Sequence, residues 1–474
     1  MVKEYEVVMG LEVHVELKTK TKIFCGCTTE FGGEPNSHCC PVCIGLPGAL
    51  PVLNEEVVNY AIKAGLATNC DISRSSRQDR KHYFYPDLPT SYQISQGTRA
   101  LCHDGHLDIE VKGETKSIGI TRIHIEEDAG KLIHEEGVGT LVDYNRSGVP
   151  LIEIVSEPDL GSAEEVKAYL QKLRAIMLYI DVSDVKMNEG SFRCDVNLSV
   201  REKGAREFGT RTETKNLNSF QSIMRAIEFE SGRQIKEINE GREIIQETRR
   251  FDQETGKTYG MRKKEDAHDY RYLPDPDLMP IVIDDILLKS IKESLPGLPD
   301  ERKANYMEEY GLSSYDAEQL VTSKDIANYF ESAAKLAKNY KTLANLMITE
   351  VFRYIDMDDF IEPFPAEYLG ELVNLIEDET INISTSKKIV EEMIDSSKSP
   401  LQIVKDAALE QINNREELST IIDEAIENSQ KAVEEYKSGK GKALQSIVGQ
   451  IMRFTKGKAN PQLVNEMLIE KLKE

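Results

Sequence analysis

Apolar and ionisable residues alternate along Gly10-Leu-Glu-Val-His-Val-Glu-Leu17: Leu11, Val13, Val15 and Leu17 fall on one side, Glu12, His14 and Glu16 on the other. A period of two belongs to a strand with one dry face and one polar face. The pattern returns at 118–125, where Arg122 and His124 share a side, and at 193–201, where odd positions are polar and even positions apolar. Residues 211–215 repeat it on a shorter scale. The run 150–155 is apolar except for Glu153, and a carboxylate there must be paired or hold a metal. Helical spacing instead marks 53–69, 162–180 and 218–241. Ser162 and Glu165 form a capping box at the start of the second of these. Segments 77–96, 247–252 and 261–277 are loaded with basic, acidic, aromatic and turn residues without a clear period, and they predict loops.

After residue 295 the pattern changes. Leu295-Pro-Gly-Leu-Pro299 breaks the chain, and everything beyond has helical period, with a softer break at Pro400. The expected organisation is three domains, 1–294, 295–400 and 401–474. The fold class is α+β: a mainly antiparallel sheet, then two all-α domains. Several strands in succession carry acids, imidazole, guanidinium or ammonium on the wet side. That implies a sheet whose open face is an active surface. Divalent metal and polyphosphate suit such a face, with Glu and Asp holding Mg²⁺ and Arg and Lys neutralising phosphate oxygens.

Composition narrows the partners. The 474 residues carry a net charge of −23, which excludes wholesale electrostatic binding of nucleic acid and leaves only local basic patches. Lys437, Lys440, Lys442, Lys456 and Lys458 form one such patch, suited to a phosphate backbone. No apolar run reaches the length of a membrane span and no signal peptide opens the chain, so a cytoplasmic protein without membrane contact is expected. Five of the eight cysteines lie between residues 25 and 43. The pairs Cys25-Gly-Cys27 and Cys40-Pro-Val-Cys43 have the spacing of a four-thiolate knuckle for structural Zn²⁺. Cys39 is then spare, and His38 is an alternative ligand. Gly439-Lys-Gly-Lys442 lacks the spacing and hydroxyl of a Walker A loop.

Ten ordered motifs carry a resemblance. They are Gly10–Leu17, Cys40-Pro-Val-Cys-Ile-Gly-Leu-Pro-Gly48, Tyr83-Phe-Tyr-Pro-Asp87, Tyr92-Gln-Ile-Ser-Gln96, Glu126-Glu-Asp-Ala-Gly-Lys131, Pro150-Leu-Ile-Glu-Ile-Val-Ser-Glu-Pro-Asp159, Arg193-Cys-Asp195, Lys215-Asn-Leu-Asn-Ser-Phe220, Glu247-Thr-Arg-Arg-Phe-Asp252 and Asp269-Tyr-Arg-Tyr272. Over its whole length the chain resembles the B subunits of the aspartyl/glutamyl-tRNA amidotransferases. The resemblance implies a cradle-like catalytic domain distantly similar to glutamine synthetase, a helical domain, and a helical tail that contacts tRNA. It implies an ATP- and Mg²⁺-dependent phosphorylation of the side-chain carboxylate of Glu-tRNA(Gln) or Asp-tRNA(Asn). Ammonia from the amidase, or A, subunit would follow, in an assembly that also holds the small C subunit.

Carried onto this sequence, the resemblance makes Glu12, His14, Glu127 and Glu153, followed by Glu126, Asp195 and Glu213, ligands of a shared Mg²⁺ site. Arg193, Lys215, Arg249 and Arg250 become phosphate contacts, and Lys81, Tyr83 and Lys131 ATP contacts. Cys25, Cys27, Cys40 and Cys43 would hold zinc. Two rival readings are a tRNA-binding scaffold without catalysis and a ligase acting on free amino acids.

Overall fold

The computed structural model describes residues 4–135, 137–263, 270–356, 360–407, 409, 411–412, 414–438, 442–455 and 458–473. The chain forms two compact units, Met1–Leu298 and Pro299–Glu474.

The first unit is built on a nine-stranded sheet among the described residues. From one edge to the other the strands run Lys257–Lys263, Glu247–Asp252, Thr212–Lys215, Phe192–Glu202, Tyr5–Glu16, Pro150–Ser156, Glu114–Glu127, Cys102–Val111 and Asp71–Ile72. Tyr5–Glu16 is therefore central. Every pairing is antiparallel except that of Thr212–Lys215 with Glu247–Asp252. One face buries Leu11, Val13, Val15, Ile152, Ile154, Val196 and Leu198 in a single hydrophobic cluster. Helices Glu55–Ala67, Ala163–Tyr179 and Phe220–Asn239 contribute Val57, Ile62, Leu170, Leu173, Ile223 and Ile227 to that cluster. The Ser162 side chain caps the second helix by accepting from the Glu165 N–H at 3.2 Å, as the capping box predicts.

Three expected loops contain strands. Asp79–His82 and Tyr92–Ser95 pair with each other, and Leu273–Pro274 joins them, in a separate three-stranded sheet. Glu247–Asp252 and Lys257–Lys263 form one edge of the large sheet. Their charges hid the alternation because Arg249 shares the inward side with buried Phe251, while Thr248 and Arg250 share the other. Positions 264–269 of the third expected loop lie outside the described residues.

The second unit is helical. One hydrophobic cluster gathers Phe330, Leu343, Leu369, Ile389 and Val404. Another gathers Leu418, Ile422, Ile447, Ile451, Val464 and Leu468. Pro400 sits in the first turn of helix Pro400–Asp406, capped by Ser399, and that helix still feeds the first of these clusters through Ile403 and Val404. The change of cluster comes between Leu409 and Ile412. Among the described residues, no helix is long and apolar enough to cross a membrane.

Candidate active site and metal centres

Register assembles the open face of the large sheet. His14 stands opposite Arg193 on one side and Glu153 on the other, and Glu153 in turn stands opposite His124. Directly paired residues in a sheet share a face, so Arg193, His14, Glu153 and His124 form one rung across four strands. Glu126 lies two residues beyond His124 and joins them. His14 Nε2 is 3.5 Å from both Glu126 Oε1 and Glu153 Oε2. His124 Nε2 is 3.3 Å from Glu153 Oε2 and 3.7 Å from Glu126 Oε2. Burial alone would lower the His14 pKa, but the two glutamates raise it to about 10. They raise His124 against the same opposition. The imidazoles in turn hold both carboxylates below their ordinary range despite burial. Two protonated imidazoles would balance two buried acids, and one divalent cation beside neutral imidazoles would give the same net charge. Ligands about 2.1 Å from a divalent cation stand roughly 3.0–3.5 Å apart, so the spacing of His14 from Glu126 and Glu153 fits.

The next rungs hold a second group. Glu12 pairs with Asp195, and Glu213 pairs with Asn197. Glu12, Asp195 and Glu213 each place a carboxylate oxygen within 4.8 Å of the others. Lys215 Nζ lies 2.5 Å from Asp195 and 2.9 Å from Glu213, and Asn197 Nδ2 donates to Glu12 at 2.9 Å. An all-oxygen set suits a hard cation such as Mg²⁺. The single shared site expected from sequence is therefore two clusters on adjacent rungs, with Glu12 and His14 facing different ones.

Beyond the sheet, Cys25, Cys27, Cys40 and Cys43 converge within 4.8 Å. Cys43 Sγ is 3.9 Å from Cys40 Sγ and 4.0 Å from Cys27 Sγ. A tetrahedral zinc at about 2.3 Å holds its sulfurs about 3.8 Å apart, so this set also fits. The neighbouring Cys25 thiol, against the pull of burial, brings the Cys43 thiol down to about 4, with help from the Cys40 N–H and Lys22. Cys39 is excluded from the set and points to Asn145 Oδ1 at 3.8 Å. Cys25 and Cys43 also wall a cavity of about 320 Å³ that reaches Glu127 and Asp128.

Residues 7–289 match the family model described as the GatB/GatE catalytic domain, and residues 328–472 the one described as the GatB domain. The chain belongs to the GatB/GatE family. It is 57% identical over 479 residues to the B subunit of the aspartyl/glutamyl-tRNA(Asn/Gln) amidotransferase of Caldicellulosiruptor bescii, covering 99% of this chain and 100% of that protein. The protein of the same name from Carboxydothermus hydrogenoformans is 54% identical over 477 residues, and that from Geotalea daltonii 53% over 476, each covering 99% of both chains.

Within this GatB-family fold, several residues stand elsewhere than the sequence suggests. Glu127 follows Glu126 on a strand and so faces the other way. It accepts from the Ile94 N–H at 2.8 Å and lines the cavity, where burial pushes its carboxyl up to about 8. It does not join the histidine cluster. Arg249 also faces the other way from Lys215 and Arg250, because it pairs with inward-facing Thr214. It is buried against Glu230 at 3.2 Å and Thr258 Oγ1 at 2.9 Å, and also meets Glu247. It is a structural cation rather than a phosphate contact. Glu230, 0% exposed, accepts from Thr212, Thr258, Arg233 and Gln234 as well. Burial works to raise its pKa, yet Arg233 holds it below the ordinary value, with Thr258 and Arg249 adding to the effect. Stability from this network is present above the ordinary carboxylate pKa and is lost as pH falls below it. Arg249→Met should lower unfolding free energy by about 3–5 kcal/mol in denaturant titrations, with the KM for ATP of the folded fraction little changed.

Arg250 is exposed on the open face beside Lys215. Arg193 donates to Asp128 Oδ2 at 2.6 Å. Lys81 Nζ stands 5.8 Å from the Tyr83 ring centroid and 5.1 Å from that of Tyr270. Burial opposes its charge, but Glu126, Tyr272 and Glu153 raise its pKa, which places it beside the histidine cluster. Lys131 instead opens an exposed ribbon, Lys131–Glu135 with Gly139–Asp143, outside the large sheet. Lys437 and Lys442 are exposed and Lys458 half-buried. Lys440 and Lys456 lie outside the described residues. Sequence reasoning missed His124 as a partner of His14, although its place two residues before Glu126 was the available signal.

Proposed function

We propose that this chain is the carboxylate-activating B subunit of a glutamine-dependent tRNA amidotransferase. It works with the amidase (A) and small (C) subunits, in the cytoplasm, on Glu-tRNA(Gln), Asp-tRNA(Asn) or both. The observation that carries the reading is the open face of Tyr5–Glu16, where Glu12 and His14 each serve a convergent cluster flanked by cations.

A carboxylate is a poor electrophile and needs a better leaving group. One of its oxygens attacks the γ-phosphorus of ATP, ADP leaves, and an acyl phosphate forms. Ammonia then attacks the carbonyl carbon, and phosphate leaves with the C–O bond. The substrate supplies the nucleophile, so the protein's task is position and charge. Lys215 and Arg250 share one side of the face and can meet phosphate oxygens. Arg193, fixed by Asp128, stands next to His14 for the same purpose. Glu12, Asp195 and Glu213 would hold Mg²⁺, and His14, Glu126 and Glu153 a second divalent cation, with His124 beside the two glutamates. Bound there, such ions neutralise phosphate charge and steady the transferring group. The four thiolates would hold structural Zn²⁺, whose coordination would then be closed to substrate.

With the purified heterotrimer, each misacylated tRNA offered separately should trigger ATP hydrolysis coupled to amide formation. Failure with both tRNAs would rule out the reading. Reversing Lys437, Lys442 and Lys458 to Glu should weaken tRNA binding and reduce the slope of log K against log salt by up to about 3, with little change in ATP affinity.

A further inference from the structure

Lys22 is 0% exposed, and its ammonium donates to one carbonyl oxygen, that of Tyr144, at 3.2 Å. Among the described residues it forms no ion pair with a carboxylate. A buried ammonium without counter-charge is strongly unfavourable, so compensation has to come from elsewhere. Lys22 lines the same cavity wall as Cys25 and Cys43. A Cβ built on Gly148 would meet Lys22 Cδ at 3.7 Å and Cys43 Cβ at 3.8 Å, so the lysine stem and Cys43 pack against one stretch of backbone. The Lys22 N–H also pairs with Cys27 O at 2.9 Å. The acids on that cavity wall are otherwise engaged, Asp128 with Arg193 and Glu127 with the Ile94 N–H. Four thiolates around one divalent zinc leave two negative charges to be balanced.

We propose that Lys22 is the counter-charge of the zinc tetrathiolate, a positioning residue that stabilises the anionic cluster and ties it, through Tyr144 O, to the turn leading into Pro150–Ser156. This rests on the zinc reading above. The ammonium and the tetrathiolate then need each other: each is costly to bury alone, and the ammonium offsets one of the cluster's two negative charges. The link gives the knuckle a fixed place beside the strand that carries Glu153. The side chain touches no reacting atom in this account.

The test uses the full chain with Lys22→Met, Lys22→Gln and, as control, exposed Lys20→Met. Zinc content, the rate of zinc transfer to a competing chelator and the thermal midpoint are measured, the last with zinc loaded and stripped. Both Lys22 variants should release zinc at least about tenfold faster, and Lys20→Met should match the parent. Lys22→Met should lower the midpoint more in the loaded chain than in the stripped one. An unchanged release rate, or equal losses with and without zinc, overturns the proposal, since a packing role would act equally in both. A parent chain that holds no zinc overturns the zinc reading itself. If Lys22→Met does not fold, Lys22→Gln, which keeps a polar group for Tyr144 O, decides by release rate.

Discussion

His14→Ala should reduce ATP-dependent amidation by about a thousandfold, equivalent to roughly 4 kcal/mol of lost transition-state stabilisation. The reason is local. His14 is the one residue of the central strand that reaches both Glu126 and Glu153, each at 3.5 Å. Without it, the two buried carboxylates keep only His124 as an imidazole partner, and a metal held there loses a ligand on the side facing Arg193. The loss should appear in kcat with every substrate, because no tRNA-specific contact is removed. Affinity for tRNA, measured by filter binding or fluorescence, should stay within a few-fold of the parent. His124→Ala should act in the same direction, since it meets the same two glutamates from the neighbouring strand. A scaffold without catalysis would show no amidation to lose, and would tolerate both substitutions.

Cys43→Ser should remove bound zinc and lower the thermal midpoint of the chain. Cys43 Sγ lies 4.0 Å from Cys27 Sγ and 3.9 Å from Cys40 Sγ, and its backbone oxygen accepts from Ser147 Oγ at 3.3 Å. A loss of about 3 kcal/mol corresponds to roughly 5 °C in a unit of this size. The cavity reaching Glu127 would lose one wall. Zinc content by metal analysis and a thermal scan check both parts. Cys39→Ser should leave both unchanged, because Cys39 lies outside the cluster.

The sequence exposed the strands with clean alternation, and these are the ones with one face buried: Tyr5–Glu16 and Phe192–Glu202. It also exposed the capped helix Ala163–Tyr179. It concealed the edge strands Glu247–Asp252 and Lys257–Lys263, because an edge with polar groups on both sides carries no hydrophobic period. For the same reason Arg249 and Arg250 looked equivalent, whereas one is buried under Glu230 and the other exposed. Residue identity marked Glu12, His14, Glu153 and Asp195 as special, but only strand register could divide them between two clusters. Glu126 and Glu127 show the limit most plainly: adjacent in sequence, they face opposite ways, one to the histidines and the other to the cavity beside the cysteines.

The central claim is that the substrate carboxylate is activated by phosphorylation on this open face. The most direct measurement follows oxygen. Misacylated tRNA carrying ¹⁸O in its side-chain carboxylate is amidated by the heterotrimer, and the released phosphate is analysed by mass. The account predicts that one ¹⁸O atom enters inorganic phosphate for each amide formed, and that His14→Ala slows formation of labelled phosphate about a thousandfold. Amide formation with wholly unlabelled phosphate would contradict it.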